Sequence, residues 1–195
     1  SDWDGKTPFI DPMCGSGTIA IEAALLAKNV PPGIFRSSFG FQCWANYDAA
    51  LWEEIVTKAK AGIKSKLPAP IFASDKLRGA FRQARQNIAD AGLRNEIEVD
   101  VHDFRRLQAP AEKGILIMNP PYGERLQPHD IEKLYSDIGD AFKKNWAGWT
   151  CWMLSSNMEA LKNVGLKTSA KIPLYNGKLE CRFAKFEIYE GSKRD

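Results

Sequence analysis

The 195 residues are 44% hydrophobic and 26% charged, with a formal net charge of +3, the balance of one globular domain able to bury a core without disulfide or metal staples. No apolar run approaches the roughly 20 residues of a membrane span, and no secretory leader opens the sequence, so the expectation is a cytoplasmic protein with no membrane partner. The four cysteines (Cys14, Cys43, Cys151, Cys181) form no C-x-x-C pair and only His102 and His129 accompany them; reduced thiols and no metal centre are expected.

In chain order, hydrophobic periodicity and turn residues predict alternating strands and helices. The chain opens at Ser1-Asp2-Trp3 and reaches a strand at about 8–12 almost at once, as expected of a domain excised from a longer protein. GSG leads into a helix over 17–28. An insertion follows, with its helix spanning about 29–66. Its aromatics Phe35, Phe39, Phe41, Trp44 and Tyr47 are expected to pack it onto the domain, and Leu51, Ile55, Ala59 and Ile63 to form the apolar stripe of a helix near 48–66.

A strand at 70–74 precedes a helix in which Arg78, Arg82 and Arg85 share one stripe, beside an apolar stripe of Phe81, Ala84, Ile88 and Ala91. The arginines form either a solvated face or a phosphate-contacting one. Strands near 96–101 and 114–118, a helix near 130–145 and a strand near 149–155 come next. Two final runs, 166–174 and 181–189, flank Asn176-Gly177, which suits a hairpin turn. The alternation predicts an α/β domain: an open, mostly parallel sheet with helices on both faces and an antiparallel hairpin at one edge.

Asp11-Pro12-Met13-Cys14-Gly15-Ser16-Gly17-Thr18 joins the first strand to the first helix, and glycines there let backbone approach a ligand closely. A nucleoside triphosphate would ask for a Lys beside Gly17, which is absent. A dinucleotide matches Gly15, Gly17 and Ala20 but lacks the acidic residue expected some 20 positions on. Asp11 instead suits a cationic ammonium or sulfonium, as in S-adenosylmethionine. Asp75 ends the second strand, where it could take ribose hydroxyls, and Asp103 follows the third, where it could accept from an adenine amine. Each aspartate is also a good helix or turn cap.

The fourth strand runs into Asn119-Pro120-Pro121-Tyr122. An exocyclic amine of a base is a poor nucleophile because its lone pair is delocalised into the ring. The Asn119 amide oxygen and the Pro120 carbonyl could accept its two hydrogens and stabilise charge as it develops. Pro121 holds Pro120 extended and so aims its carbonyl, and Tyr122 offers a stacking face for a flipped base.

DPMCGSGT, PPGIFRSSFGFQCWANYDAALW and NPPYGERL together resemble the methyltransferase domain of the bacterial 23S rRNA guanine-N2 methyltransferases, within the THUMP-associated group. The resemblance spans essentially the whole chain. It implies a Rossmann-like fold with a seven-stranded, mostly parallel sheet, and S-adenosylmethionine as donor with S-adenosylhomocysteine as product. It places Asp11, Gly15 and Gly17 at the methionine end, Asp75 at the ribose and Asp103 at the adenine, counts Pro12, Met13, Cys14, Thr18 and Asn119 among the cofactor-binding residues, and sets Asn119, Pro120, Pro121 and Tyr122 at the guanine. It also implies a THUMP-type RNA-binding domain in the full-length protein that residues 1–195 do not include, with 23S rRNA as partner.

Arg125, Arg78, Arg82 and Lys178 are candidate RNA contacts, Arg125 equally a partner for Glu124. The rival readings are the same chemistry on tRNA guanine, DNA adenine methylation, a nicotinamide-dependent oxidoreductase, and a non-catalytic RNA-binding module on a methyltransferase fold.

Overall fold

The computed structural model describes residues 1–121 and 127–191. Seven strands form one sheet: β1 (Phe9–Asp11), β2 (Ile71–Asp75), β3 (Ile97–Val101), β4 (Ile115–Met118), β5 (Thr150–Ser155), β6 (Ala170–Asn176) and β7 (Leu179–Glu187). Their spatial order is β3-β2-β1-β4-β5-β7-β6. The first five run parallel, and β7 lies antiparallel between β5 and β6. The order reverses between β1 and β4, and in open α/β sheets ligands bind outside the strand carboxyl ends at such a point.

The helices are α1 (Thr18–Ala27), α2 (Ala49–Ala61), α3 (Arg78–Asp90), α4 (Pro128–Asn145) and α5 (Met158–Lys162). Side chains alternate across a strand, so the sheet carries two separate cores. One face sets Phe9, Ile71, Ala73 and Ile97 against the alanines of α1 (Ala20, Ala23, Ala24) and against Ala84 and Ile88 of α3. The other sets Ile10, Leu116, Met118 and Met153 against Tyr135, Ile138 and Phe142 of α4. Alanine along α1 lets that helix approach the sheet closely, and the apolar stripe of α3 lies where the sequence places it.

Three expectations are corrected. The insertion packs on itself rather than on the core: Phe39, Phe41 and Trp52 form a ring cluster with centroids 4.9 to 5.5 Å apart, while Phe35 and Trp44 are 68% and 67% exposed. No residue of α2 is buried. Its better-covered side is Trp52, Val56 and Ala59, and Leu51 and Ile55 face outward. Asp48 caps α2 by accepting from the Leu51 amide at 3.0 Å, and the helix ends at Ala61, five residues before the expected 66. At the hairpin, Asn176 pairs with Leu179, so the turn is Gly177-Lys178, one residue later than expected. The left-handed backbone falls on Gly177 (φ 63°), the glycine that a turn of this kind needs at its first central position.

Candidate active site

Five strand ends converge on the carboxyl edge of the sheet. Asp11 closes β1 and is 1% exposed. Its Oδ1 accepts the Met13 amide at 3.2 Å, and it makes no ion pair among the described residues. Burial pushes its carboxyl up to about 7, against the lowering effect of the Met13 bond, and the Asp75 charge adds to the rise. A buried carboxylate with no counter-charge among the described residues is poised to accept a cation.

The glycine loop is held from elements far along the chain. Asp75 Oδ2 accepts the Gly15 amide at 3.1 Å and its Oδ1 accepts the Leu77 amide at 2.9 Å. The Cys14 amide donates to the Ser74 carbonyl at 2.9 Å. Asn87 of α3 donates through Nδ2 to the Ser16 carbonyl at 2.8 Å. Gly17 has φ 83°, and a Cβ there would stand 3.2 Å from the Ala84 methyl, so α3 closes on the loop where only glycine leaves room. Beside Gly15 a Cβ would meet nothing within 4 Å among the described residues, which leaves that stretch of backbone approachable. Ser16 and Thr18 share a hydroxyl hydrogen bond at 3.0 Å. Pro12 is buried and Met13 half-buried.

Burial, reinforced by Asp11 and Asp75, raises the Cys14 thiol to about 12. It is a packed side chain and not a nucleophile.

Asp103 sits at the edge beyond β3 and caps the short 3-10 turn Phe104–Arg106, its Oδ1 accepting the Arg105 amide at 3.1 Å. The Arg105 guanidinium bonds both carboxylate oxygens, at 2.5 Å to Oδ2. Those bonds hold the Asp103 carboxyl down at about 2. Any adenine amine would meet a carboxylate already engaged by Arg105, a partner the residue pattern did not announce.

Asn119 follows the last residue of β4 and is exposed, Pro120 is buried and Pro121 exposed. β4 pairs with β1 through Phe9↔Ile115 and Ile10↔Leu116, which brings Asn119 beside the start of the glycine loop across the reversal in strand order. Tyr122, Glu124 and Arg125 lie outside the described residues. Beyond β5, the buried Tyr135 and Ser155 hydroxyls are 2.7 Å apart, and Ser155 Oγ accepts the Asn157 amide at 3.0 Å.

Arg78 and Arg82 are exposed on the first turns of α3. Ser155, the end of β5, pairs with Arg182, so the β6–β7 turn with exposed Lys178 projects past the same carboxyl edge. Arg78 and Arg82, on the helix that follows β2, and Lys178, in the β6–β7 turn, thus come from opposite sides of the β4 end that carries Asn119. Asn87 and Arg105 are the residues that sequence reasoning missed. Asn87's only signal is a polar side chain bordering the apolar stripe of α3.

Residues 1–185 match the family model of the RMKL-like methyltransferase domain, UPF0020. An RNA methyltransferase-like protein of Synechocystis sp. is 39% identical over 96% of the chain and 49% of its own length. The ribosomal RNA large subunit methyltransferase K/L of Shewanella baltica is 40% identical over the whole chain and 28% of its own length. The chain thus spans about half or less of these curated relatives. Among solved structures, SMU.472 complexed with S-adenosylhomocysteine has a TM-score of 0.89 at 30% identity, over 98% of this chain and 51% of that one. TrmN of Thermus thermophilus shares the fold alone, with a TM-score of 0.61 at 20% identity over 94% of this chain and 44% of that one. The residues present fit such a donor, since a lone buried carboxylate and an open glycine cradle are what a cationic amino-acid ligand asks for. By model match, relatives and fold, the chain belongs to the RMKL-like methyltransferase domain family, whose methyl donor is S-adenosylmethionine.

Proposed function

We propose that this domain methylates the exocyclic N2 amine of a guanine in 23S rRNA, as the catalytic part of a longer cytoplasmic protein that also carries a THUMP-type RNA-binding domain. The observation that carries the reading is Asn119 with Pro120 at the end of β4, adjoining the glycine loop of β1. The ribosomal K/L methyltransferases at 40% identity support the substrate class.

When bound, S-adenosylmethionine supplies an electrophilic methyl carbon on a sulfonium. Asp11 holds its positive end, the backbone of Met13, Cys14, Gly15, Gly17 and Thr18 lines its amino-acid portion, and Asp75 takes the ribose hydroxyls. Asp103, oriented by Arg105, accepts from the adenine amine. Asn119 Oδ1 and the Pro120 carbonyl take the two hydrogens of the guanine amine, which localises its lone pair and stabilises the positive charge that grows on nitrogen. Pro121 fixes the Pro120 carbonyl, Tyr122 stacks on the flipped base, and Arg78, Arg82, Lys178 and Arg125 contact phosphate.

The test is mass-spectrometric mapping of N2-methylguanosine in 23S rRNA from cells lacking the gene, paired with methylation of a 23S transcript by the full-length protein. Loss of one modified guanine, restored by the wild-type gene, is expected. An unchanged modification map together with no transfer to the transcript overturns the proposal, and transfer to tRNA alone reassigns the substrate.

A further inference from the structure

Phe72, Ser74 and Glu98 of β2 and β3 face the α4 side of the sheet, away from Asp11 and Asp75, and Phe72 is only partly buried against the core there. A cavity of about 150 Å³ opens there beneath the segment 107–110. Its floor is Ile10, Phe72 and Leu107, and Ser74, Glu98 and Gln108 also line it. Register explains the composition: Phe72 pairs with Glu98 and Ser74 with Asp100, so successive rungs present these side chains to one face. Asp11 and Asp75 alternate to the opposite face with Phe9 and Ala73, which keeps this cavity separate from the glycine loop.

Three features select its ligand. Ser74, which lines the cavity, is 3% exposed, and its Oγ has no hydrogen-bond partner among the described residues; a buried unmet hydroxyl is a polar group that a ligand can satisfy. Glu98 makes no ion pair among the described residues, whereas neighbouring Asp100 is matched by His102 Nε2 at 3.1 Å. Gln108 spends its amide nitrogen on Asn145 Oδ1 at 3.2 Å, leaving its carbonyl as an acceptor. Acceptors on the wall and an apolar floor make a site for a donor-rich cation with an apolar stem. A guanidinium, planar, weakly hydrated and carrying five N–H donors, meets several spread acceptors where an ammonium concentrates its charge at a point. The acidic wall disfavours a phosphate-bearing partner.

We propose that this cavity binds an alkyl-guanidinium, from a small molecule or an arginine side chain, through Glu98, the Ser74 hydroxyl and the Gln108 carbonyl above Phe72. The test titrates the domain, saturated with S-adenosylhomocysteine, with agmatine, with butylamine and with acetyl-Gly-Arg-Gly-amide, followed by NMR and calorimetry. Saturable agmatine binding that leaves S-adenosylhomocysteine in place is expected. Glu98→Gln on the open rim should weaken it at least tenfold, and Ser74→Ala about threefold with an unchanged melting temperature. Tighter binding of the peptide than of agmatine identifies a polypeptide as the source, and the reverse a free metabolite. No saturable binding, binding indifferent to Glu98→Gln, butylamine binding as tightly as agmatine, or crystals soaked in agmatine holding only water in the cavity would each overturn the proposal.

Discussion

Asp75 grips the glycine loop through one carboxylate oxygen and the start of α3 through the other: Oδ2 takes the Gly15 amide at 3.1 Å and Oδ1 the Leu77 amide at 2.9 Å. The residue expected to meet a ribose is therefore also the brace of the glycine loop. Asp75→Ala should reduce cofactor affinity at least tenfold and cost about 1–3 kcal/mol of stability, since two amides lose their acceptor. Asp75→Asn, which keeps one carbonyl oxygen, should recover part of the stability but not the affinity. Calorimetric titration with S-adenosylhomocysteine and thermal melts check this; unchanged affinity in Asp75→Ala would remove the ribose assignment.

Asp11 couples binding to pH. Burial raises its carboxyl to about 7, so the folded protein holds a proton that the unfolded chain releases near pH 4. Between those values the native state binds more protons, and stability falls as pH rises through about 7. Cofactor affinity runs the other way, because a cation prefers the ionised carboxylate: it should climb between pH 6 and pH 8. Asp11→Asn should flatten both profiles, raise the melting temperature at pH 8 and weaken binding. A wild-type affinity independent of pH across this interval would refute the coupling.

Asn119 is exposed at the end of β4 while Pro120 behind it is buried, which frees one side chain and anchors one carbonyl. Asn119→Ala in the full-length protein should lower kcat by about 10² to 10³, the scale for losing one preorganised partner of developing charge, with cofactor affinity within twofold of wild type. Single-turnover methylation with parallel binding measurements separates the two. A normal rate would end the role given to Asn119.

Arg78 and Arg82 test the RNA face. Arg78→Gln with Arg82→Gln should weaken RNA binding by the full-length protein and lower the slope of log affinity against log salt by about 1 to 2, as expected when two phosphate contacts are lost. Cofactor affinity should not move. Retention of the wild-type salt slope would return these arginines to the solvated face.

What the sequence disclosed and what it withheld divide on a physical line. The strand–helix rhythm was legible enough to put Asp11, the glycine loop and Asn119-Pro120 at strand ends, where the structure has them. Asn87, Arg105 and the open wall at Ser74 and Glu98 were not legible, because their roles arise from register and from helices docking across the sheet. The insertion misled for a related reason: its aromatic rings were expected to pack onto the domain, but Phe39 and Phe41 cluster around Trp52 while Phe35 and Trp44 stay exposed, and α2 is left at the surface. The turn at Gly177-Lys178 was misplaced by one residue because strand pairing, rather than the dipeptide alone, decides which two residues cross.

The loop's anchors lie 60 and 71 residues downstream, at Asp75 and Asn87. A nascent chain that has emerged only as far as α1 carries every glycine of the motif but neither of the side chains that shape the loop. The loop takes its native shape only where β2 lies beside β1 and α3 closes over Gly17. A ligand that needs this loop should therefore stabilise the assembly of β1 with β2 and α3 by the usual mass-action increment.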